Sequence, residues 1–205
     1  MIYLYQILFL ALTYFVASIP FGLVLAKIFG KQDIRKAGSG NIGATNVARI
    51  LGKKIGFATL ILDAAKGAVM VIIAKYLFTS GAFSYTFISL VAAVAVIGHV
   101  FPIYLKFKGG KGVATSLAVL LALNPIIGLV CCFAWIIIFL FIKTSSISSL
   151  SAILITAGFS LYSRASTPEI LLVVFLAFII FLRHKENIGR ILNGTEPASK
   201  RKKKK

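Results

Sequence analysis

Acidic residues are nearly missing from this chain: 5 Asp and Glu stand against 23 Lys and Arg in 205 residues, a formal net charge of +18. So few carboxylates offer Mg²⁺ no acid-rich site, and two histidines with two cysteines offer Zn²⁺ no ligand set, so no metal or other cofactor is expected. Cys131 and Cys132 are adjacent inside an apolar run, which excludes a disulfide framework and a four-thiolate centre. Charge of either sign is also scarce. Only 14% of residues are charged and 59% are hydrophobic, too thin a polar skin for an ordinary soluble domain. Cations on such a background suit a bilayer-embedded chain with basic edges. A nucleic-acid binder would spread them over a polar face, so no nucleic-acid partner is expected. Soluble domains and internal repeats are absent.

What is present is a series of apolar runs, Tyr3–Phe29, Ile55–Leu77, Thr86–Leu105, Val113–Leu123, Ile126–Ile142, Ile147–Tyr162 and Glu169–Leu182. They predict an all-α integral membrane protein with about seven transmembrane helices, some of them short. Val113–Leu123 runs into Asn124-Pro125, and reads either as a half-helix or as one arm of a proline-broken helix. A five-span reading that merges the weaker segments competes with seven. The first run lacks a basic n-region and outlasts the apolar core of a signal peptide, so it is expected to remain as a span. With the N-terminus outside, 19 of the 23 Lys and Arg fall on the inner side, in 30–54, in 105–112, at Lys143 and in 183–205. Only Arg164 falls outside, while Lys27, Lys66 and Lys75 lie within spans. That asymmetry places the C-terminus in the cytoplasm. Residues 1–199 read as a single polytopic membrane domain, and 200–205, six consecutive cations, as a basic cytoplasmic tail drawn to anionic membrane lipid.

Three polar clusters interrupt the apolar pattern. In Gly38–Arg49, the residues Gly38, Gly40 and Gly43 satisfy G-x-G-x-x-G, with Asp63 twenty residues beyond. The dinucleotide reading fails on context, because 31–36 is charged rather than a buried strand and Asp63 sits in an apolar helix. The physics survives that failure: glycines admit a ligand to the backbone, and Ser39, Asn41, Thr45, Asn46 and Arg49 supply donors for clustered anionic oxygens. In Gly98–Thr115, Gly110-Lys111 is followed by Gly112 and position 105 is Leu, so a P-loop is excluded. Lys108 and Lys111 flank Gly109 and Gly110 just before a helix begins, where dipole, N–H groups and ammonium groups together attract phosphate. His99, closing an apolar run, is read as structural. In 183–196, His184, Asn187 and Arg190 recur every three residues, on neighbouring helical positions. Glu196 is expected to pin that segment by pairing with a cation from another loop. Within the second span, Asp63 and Lys66 are three apart and able to pair, as a functional couple or a self-neutralising structural one.

Gly38–Arg49, Gly98–Thr115 and His184–Glu196, together with Ser18-Ile-Pro-Phe-Gly22, resemble the motifs of the PlsY family of bacterial acyl-phosphate:glycerol-3-phosphate acyltransferases, in order over nearly the whole chain. The resemblance implies a multi-pass enzyme of the bacterial inner membrane, with its active site at the cytoplasmic face. It would move a fatty acyl group from acyl phosphate to the 1-hydroxyl of glycerol 3-phosphate, giving lysophosphatidic acid and phosphate, the first committed step of phospholipid synthesis. Thioester-using acyltransferases resemble one another through His-x4-Asp, which neither histidine supplies, since Tyr104 and Gly189 stand five residues on.

The residues themselves agree with that reading. Both substrates carry phosphate, about −1.5 to −2 charges each, and one has a tail that belongs in lipid. Attack of a hydroxyl on a mixed anhydride needs little activation, so alignment and charge stabilisation dominate. Arg49, Lys111 and Ser39 are expected to bind phosphate, Asn187 and Asn46 to orient, and the N–H groups of Gly109–Gly112 to hold the acyl phosphate. Gly40, Asn41, Thr45, Lys108 and Arg190 complete the expected substrate contacts. His184, kept neutral by cationic neighbours, is either the general base or, if a substrate phosphate takes the proton, a donor to phosphate. The rival reading, a small transporter or exchanger of phosphorylated metabolites, predicts polar groups on both sides and within the spans.

Overall fold

The computed structural model describes residues 2–30, 33–79 and 84–198, so the 200–205 tail lies outside the described residues. Each predicted span is helical, and no strand occurs among the described residues. Apolar side chains alone do not fix that outcome. Lipid offers backbone N–H and C=O groups no partner, and a helix satisfies them within one segment.

Among the described residues ten α-helices follow one another: α1 (Ile2–Ala17), α2 (Phe21–Leu25), α3 (Ala44–Leu51), α4 (Lys53–Thr79), α5 (Tyr85–Val100), α6 (Val113–Leu123), α7 (Pro125–Ile142), α8 (Ser145–Tyr162), α9 (Thr167–Arg183) and α10 (Lys185–Leu192). Among the described residues five segments are long and apolar enough to cross a membrane: Ile2–Gly30, Lys53–Leu77 of α4, Tyr85–Leu105, α7 and α8. α9 passes only jointly with α10, from which it is bent by 64°, and α6 has eleven residues. Seven apolar helical segments therefore stand where seven were predicted, two of them short.

Two segments differ in detail from their sequence reading. The first span breaks at Ser18-Ile-Pro20, and the Lys66 ammonium reaches the Ile19 carbonyl there at 2.8 Å. At the other junction, Asn124 caps α7 by accepting from Ile126 N–H at 3.0 Å, with Pro125 in the first turn, where it needs no N–H donor. α6 and α7 then pack side by side, so α6 is a separate short helix.

α5 is the axis of the bundle. Ile88, Val91, Ala92, Ala95 and Val96 on it are buried, in one cluster with Val119 and Leu120 of α6, Ile153 of α8 and Val173 and Leu176 of α9. α7 instead exposes Phe133, Ile136, Ile137, Leu140 and Phe141, a face that suits acyl chains as solvent. A second, smaller core of Leu23, Ala26, Ile34, Ile42 and Val47 seats the Gly38–Arg49 region on α2 and α3.

The helix ends sort into two poles. At one, Glu169 of α9 accepts from the Tyr85 hydroxyl (2.9 Å), the Asn124 amide (2.6 Å) and the Ser166 N–H (2.8 Å), tying α5, α7 and α9 together. Lys75 donates to the Ala122 and Leu123 carbonyls at the end of α6. Polar chemistry is thus not confined to one pole, but here it is spent on joining helices. The other pole holds the three motif clusters.

Candidate active site

The Gly38–Arg49 loop is held from inside by one amide. Asn46, 1% exposed, accepts from Ser39 N–H at 2.9 Å and donates to the carbonyls of Asn41 (2.9 Å), Ala37 (3.1 Å) and Ile34 (3.3 Å). Its capacity is used up by the loop, so its orienting role falls on the backbone rather than on a substrate. Gly38 has φ +61°, and a Cβ there would strike the Asn46 side-chain oxygen, so the position needs glycine. The result is a loop presenting Ser39, Gly40 and Asn41 outward. Thr45 and Arg49 are exposed on α3. Thr45 Oγ1 lies 3.3 Å from Ser145 Oγ of α8, and Arg49 Nη1 3.4 Å from Asn46 Oδ1.

The second loop is fixed differently. The N–H groups of Gly109 and Gly110 donate to the Val100 and His99 carbonyls at 3.1 and 3.2 Å, closing the end of α5. They were expected to hold the acyl phosphate, and the structure commits them elsewhere, because the last carbonyls of a helix need partners too. The carbonyls of Gly109 and Gly110 in turn accept from Arg183, at 2.9 and 3.2 Å. Gly112, with φ +83°, begins α6, and no side chain caps that helix. Lys111 beside it donates to Asn187 Oδ1. Lys108 is exposed on the turn before the glycines.

On the third segment, His184 sits at the bend between α9 and α10, 3% exposed. Its Nδ1 lies 2.8 Å from the Ile180 carbonyl, which can only accept, so Nδ1 carries the hydrogen and the neutral ring offers Nε2 as an acceptor. Burial pushes its pKa down to about 4, more than the Ile180 bond raises it, with Lys111 and Arg183 adding to the depression. His184 is neutral at pH 7, as expected, but desolvation rather than cationic neighbours is the main cause. A neutral ring in this tautomer has no second N–H, so a donor role toward phosphate is not open to it.

Asn187, buried on α10, links two charged groups: it accepts from Lys111, and its amide donates to Glu196 at 2.6 Å. Glu196 also accepts from Arg190 (2.7 Å) and Ser146 of α8 (2.7 Å). The cation paired with Glu196 belongs to its own segment, not to another loop as expected, and the cross-link to a different helix runs through a serine hydroxyl. Burial raises the Glu196 pKa, but the bonds from Ser146, Asn187 and Arg190 outweigh it and leave the carboxyl below its ordinary range. Burial lowers that of Lys111 to about 8, with Glu196 opposing and Arg190 adding to the shift.

These segments meet at a polar cleft. Its lining comes from Ser39, Gly40 and Asn41 of the first segment, Gly109 and Lys111 of the second, and Leu182, Arg183, Lys185 and Glu186 of the third. Arg183, Lys185, Glu186 and the serines opening α8 were not singled out in the sequence. Arg183 ends an apolar run and reads there as a topology signal, and its position directly before His184 was the available clue. Asp63 and Lys66 do pair, at 2.9 Å, and Asp63 Oδ1 is 3.6 Å from His99 Nδ1. Around the pole, α3, α6, α8 and α10 all begin without a side-chain cap, whereas Ser84 and Asn124 cap α5 and α7 at the far pole. Uncapped first turns leave N–H groups and the positive end of the helix dipole available to anions.

Residues 7–194 match the family described as glycerol-3-phosphate acyltransferase. The chain is similar to a glycerol-3-phosphate acyltransferase of Dinoroseobacter shibae, 46% identical over 90% of this chain and 88% of that one. It is also similar to one of Gluconobacter oxydans, 42% identical over 95% and 94%. Its fold superposes on crystal structures of PlsY, an integral membrane glycerol 3-phosphate acyltransferase. The glycerol 3-phosphate form gives a TM-score of 0.89 at 36% identity, covering 95% of this chain and 96% of that one. The lysophosphatidic acid form gives 0.84 at 35% identity, covering 95% of each.

Proposed function

We propose that this chain, which belongs to the glycerol-3-phosphate acyltransferase family, transfers a fatty acyl group from acyl phosphate to the 1-hydroxyl of glycerol 3-phosphate at the cytoplasmic face of the bacterial inner membrane. Residues 1–199 act as one catalytic membrane domain. The observation that carries the reading is the convergence of three separate loops on one cleft, where Lys111 is joined through Asn187 to Glu196. Two phosphorylated substrates repel each other. A cleft with Lys111, Arg183, Lys185 and nearby Arg49, beside the uncapped start of α6, lowers that repulsion.

In the reaction the glycerol oxygen attacks the acyl carbonyl carbon. A new C–O ester bond forms, the bond from that carbon to the phosphate oxygen breaks, and inorganic phosphate leaves with its electron pair. Ser39 and Lys111 hold phosphate oxygens, Arg49 closes from α3, and Asn187 keeps the Lys111 ammonium aimed. The hydroxyl proton ends on the departing phosphate. A phosphate oxygen with a pKa of about 6 is a stronger base than His184 at about 4, so His184 Nε2 orients the hydroxyl as an acceptor.

The direct test supplies purified full-length protein in lipid with palmitoyl phosphate and labelled glycerol 3-phosphate. Lysophosphatidic acid and phosphate should appear in equal amounts, and palmitoyl thioester should not replace the donor. Equal turnover with the thioester would overturn the assignment. Uptake of label into sealed vesicles without acyl transfer would point to a transporter.

A further inference from the structure

Arg183 is held on one edge and open on the other. Its Nη2 donates to the Gly109 carbonyl at 2.9 Å and its Nε to the Gly110 carbonyl at 3.2 Å, and the guanidinium carbon lies 5.7 Å from the centre of the Phe101 ring. A guanidinium has five N–H donors, and these bonds use two. Nη1 has no acceptor among the described residues, and Arg183 lines the cleft. Glu186, the acid in the same lining, makes no ion pair with it among the described residues.

The neighbourhood is asymmetric. Leu182, the apolar residue of the cleft lining, is 47% exposed, and the next residue along α9 is Arg183 itself. At this one edge a fixed cation adjoins surface fit for an acyl chain. The share of the lining contributed by the Gly38–Arg49 loop, Ser39, Gly40 and Asn41, has no apolar side chain. A ligand that is phosphate at one end and hydrocarbon at the other matches the Arg183–Leu182 edge, whereas a wholly polar phosphate ester gains nothing from it.

We propose that Arg183 binds the phosphate of the acyl donor through its free Nη1 edge, and that the same guanidinium, by holding the Gly109 and Gly110 carbonyls, sets the loop that carries Lys111. The inference rests on acyl phosphate being the donor. As the acyl C–O bond breaks, charge builds on the departing phosphate oxygens, and a guanidinium already fixed on protein carbonyls meets it without reorganising. A lysine cannot reproduce this, because one ammonium cannot bond both carbonyls and a phosphate in the fork geometry.

Full-length Arg183→Ala and Arg183→Lys are compared with the unaltered chain in lipid. The measurements are KM for palmitoyl phosphate and for glycerol 3-phosphate, and binding of hexadecylphosphonate, a probe with no acyl group to transfer. Both variants should show a KM for acyl phosphate raised ~10-fold or more, matching loss of one bidentate charged contact, and weaker binding of the phosphonate. KM for glycerol 3-phosphate should stay within about threefold, which also shows that the variants are folded. Added guanidinium ion should restore part of the activity of Arg183→Ala but not of Arg183→Lys. An equal rise in both KM values, a fall in kcat alone, wild-type behaviour of Arg183→Lys, or loss of glycerol 3-phosphate binding in both variants overturns the proposal. Failure of the unaltered chain to use acyl phosphate, with thioester active instead, sinks the donor assignment and the role of Arg183 with it, and is told apart from failure of the Arg183 assignment alone because it appears before any variant is made.

Discussion

The imidazole of His99 occupies the space that a side chain at position 110 would need: a Cβ built on Gly110 would meet Nε2 of that ring. His99 cannot retreat easily. It is buried at the end of α5, with its Nδ1 3.6 Å from Asp63, which in turn holds Lys66 at 2.9 Å. The Thr115 hydroxyl donates to the backbone carbonyl of Asp63 at 2.9 Å, so the first turn of α6 is tied to the same residue through its main chain. Of the two readings left open for Asp63 and Lys66, a functional couple or a self-neutralising structural one, their contact with each other and with His99 favours the structural one.

Gly110→Ala should therefore lose about 10-fold or more in kcat/KM, since overpacking a tight contact costs on the order of 1–3 kcal/mol. Combining it with His99→Ala should recover part of the loss by opening the space. Steady-state kinetics of the two single variants and the double variant check this, and a double variant worse than either single would contradict the steric account.

Arg49 and Arg164 carry the same charge at different poles. Arg49→Lys is expected to lower kcat/KM by about 10-fold or more, because an ammonium does not replace a bidentate guanidinium on phosphate. Arg164→Ala, at the opposite end of the bundle, should stay within about twofold. Equal losses would show a diffuse basic surface instead of a shaped phosphate site.

A third expectation concerns pH. The Lys111 ammonium is the form that binds phosphate, and burial brings its pKa down to about 8. Below that pH the cation is present; as pH rises through about 8 it is lost. kcat/KM, which reports the free enzyme, should decline above about pH 8. Phosphate bound beside the ammonium favours its charged form, so the decline in kcat should begin at higher pH. Lys111→Arg should abolish the alkaline limb even where it lowers the rate, and an unchanged limb in that variant would assign it to another group.

Orientation can be read by labelling. In a variant with Cys131 and Cys132 replaced, single cysteines at Ser84 and Ser166 should react with an impermeant thiol reagent from outside intact cells, and one at Ser39 should not. Those serines stand at the two poles of the bundle. Reaction of the Ser39 variant from outside would invert the proposed topology.

Residue order alone sets the helices and the clusters. Apolar runs interrupted by Pro20 and Asn124-Pro125 dictate where helices stand and break, because backbone groups in lipid must pair within their own segment. Glycine, asparagine and lysine crowded into three short stretches mark where anions can be met. Which donors remain for a ligand was decided only by tertiary structure. The N–H groups of Gly109 and Gly110 go to the end of α5, the amide of Asn46 goes to its own loop, and Glu196 takes Arg190 beside it, while Arg183 enters the cleft from the end of an apolar helix. A hydrogen bond depends on a few tenths of an ångström between groups as far apart in the chain as Gly110 and Arg183. Composition and spacing say which groups exist, and only the packing of α5, α6 and α9 around them says which are already taken.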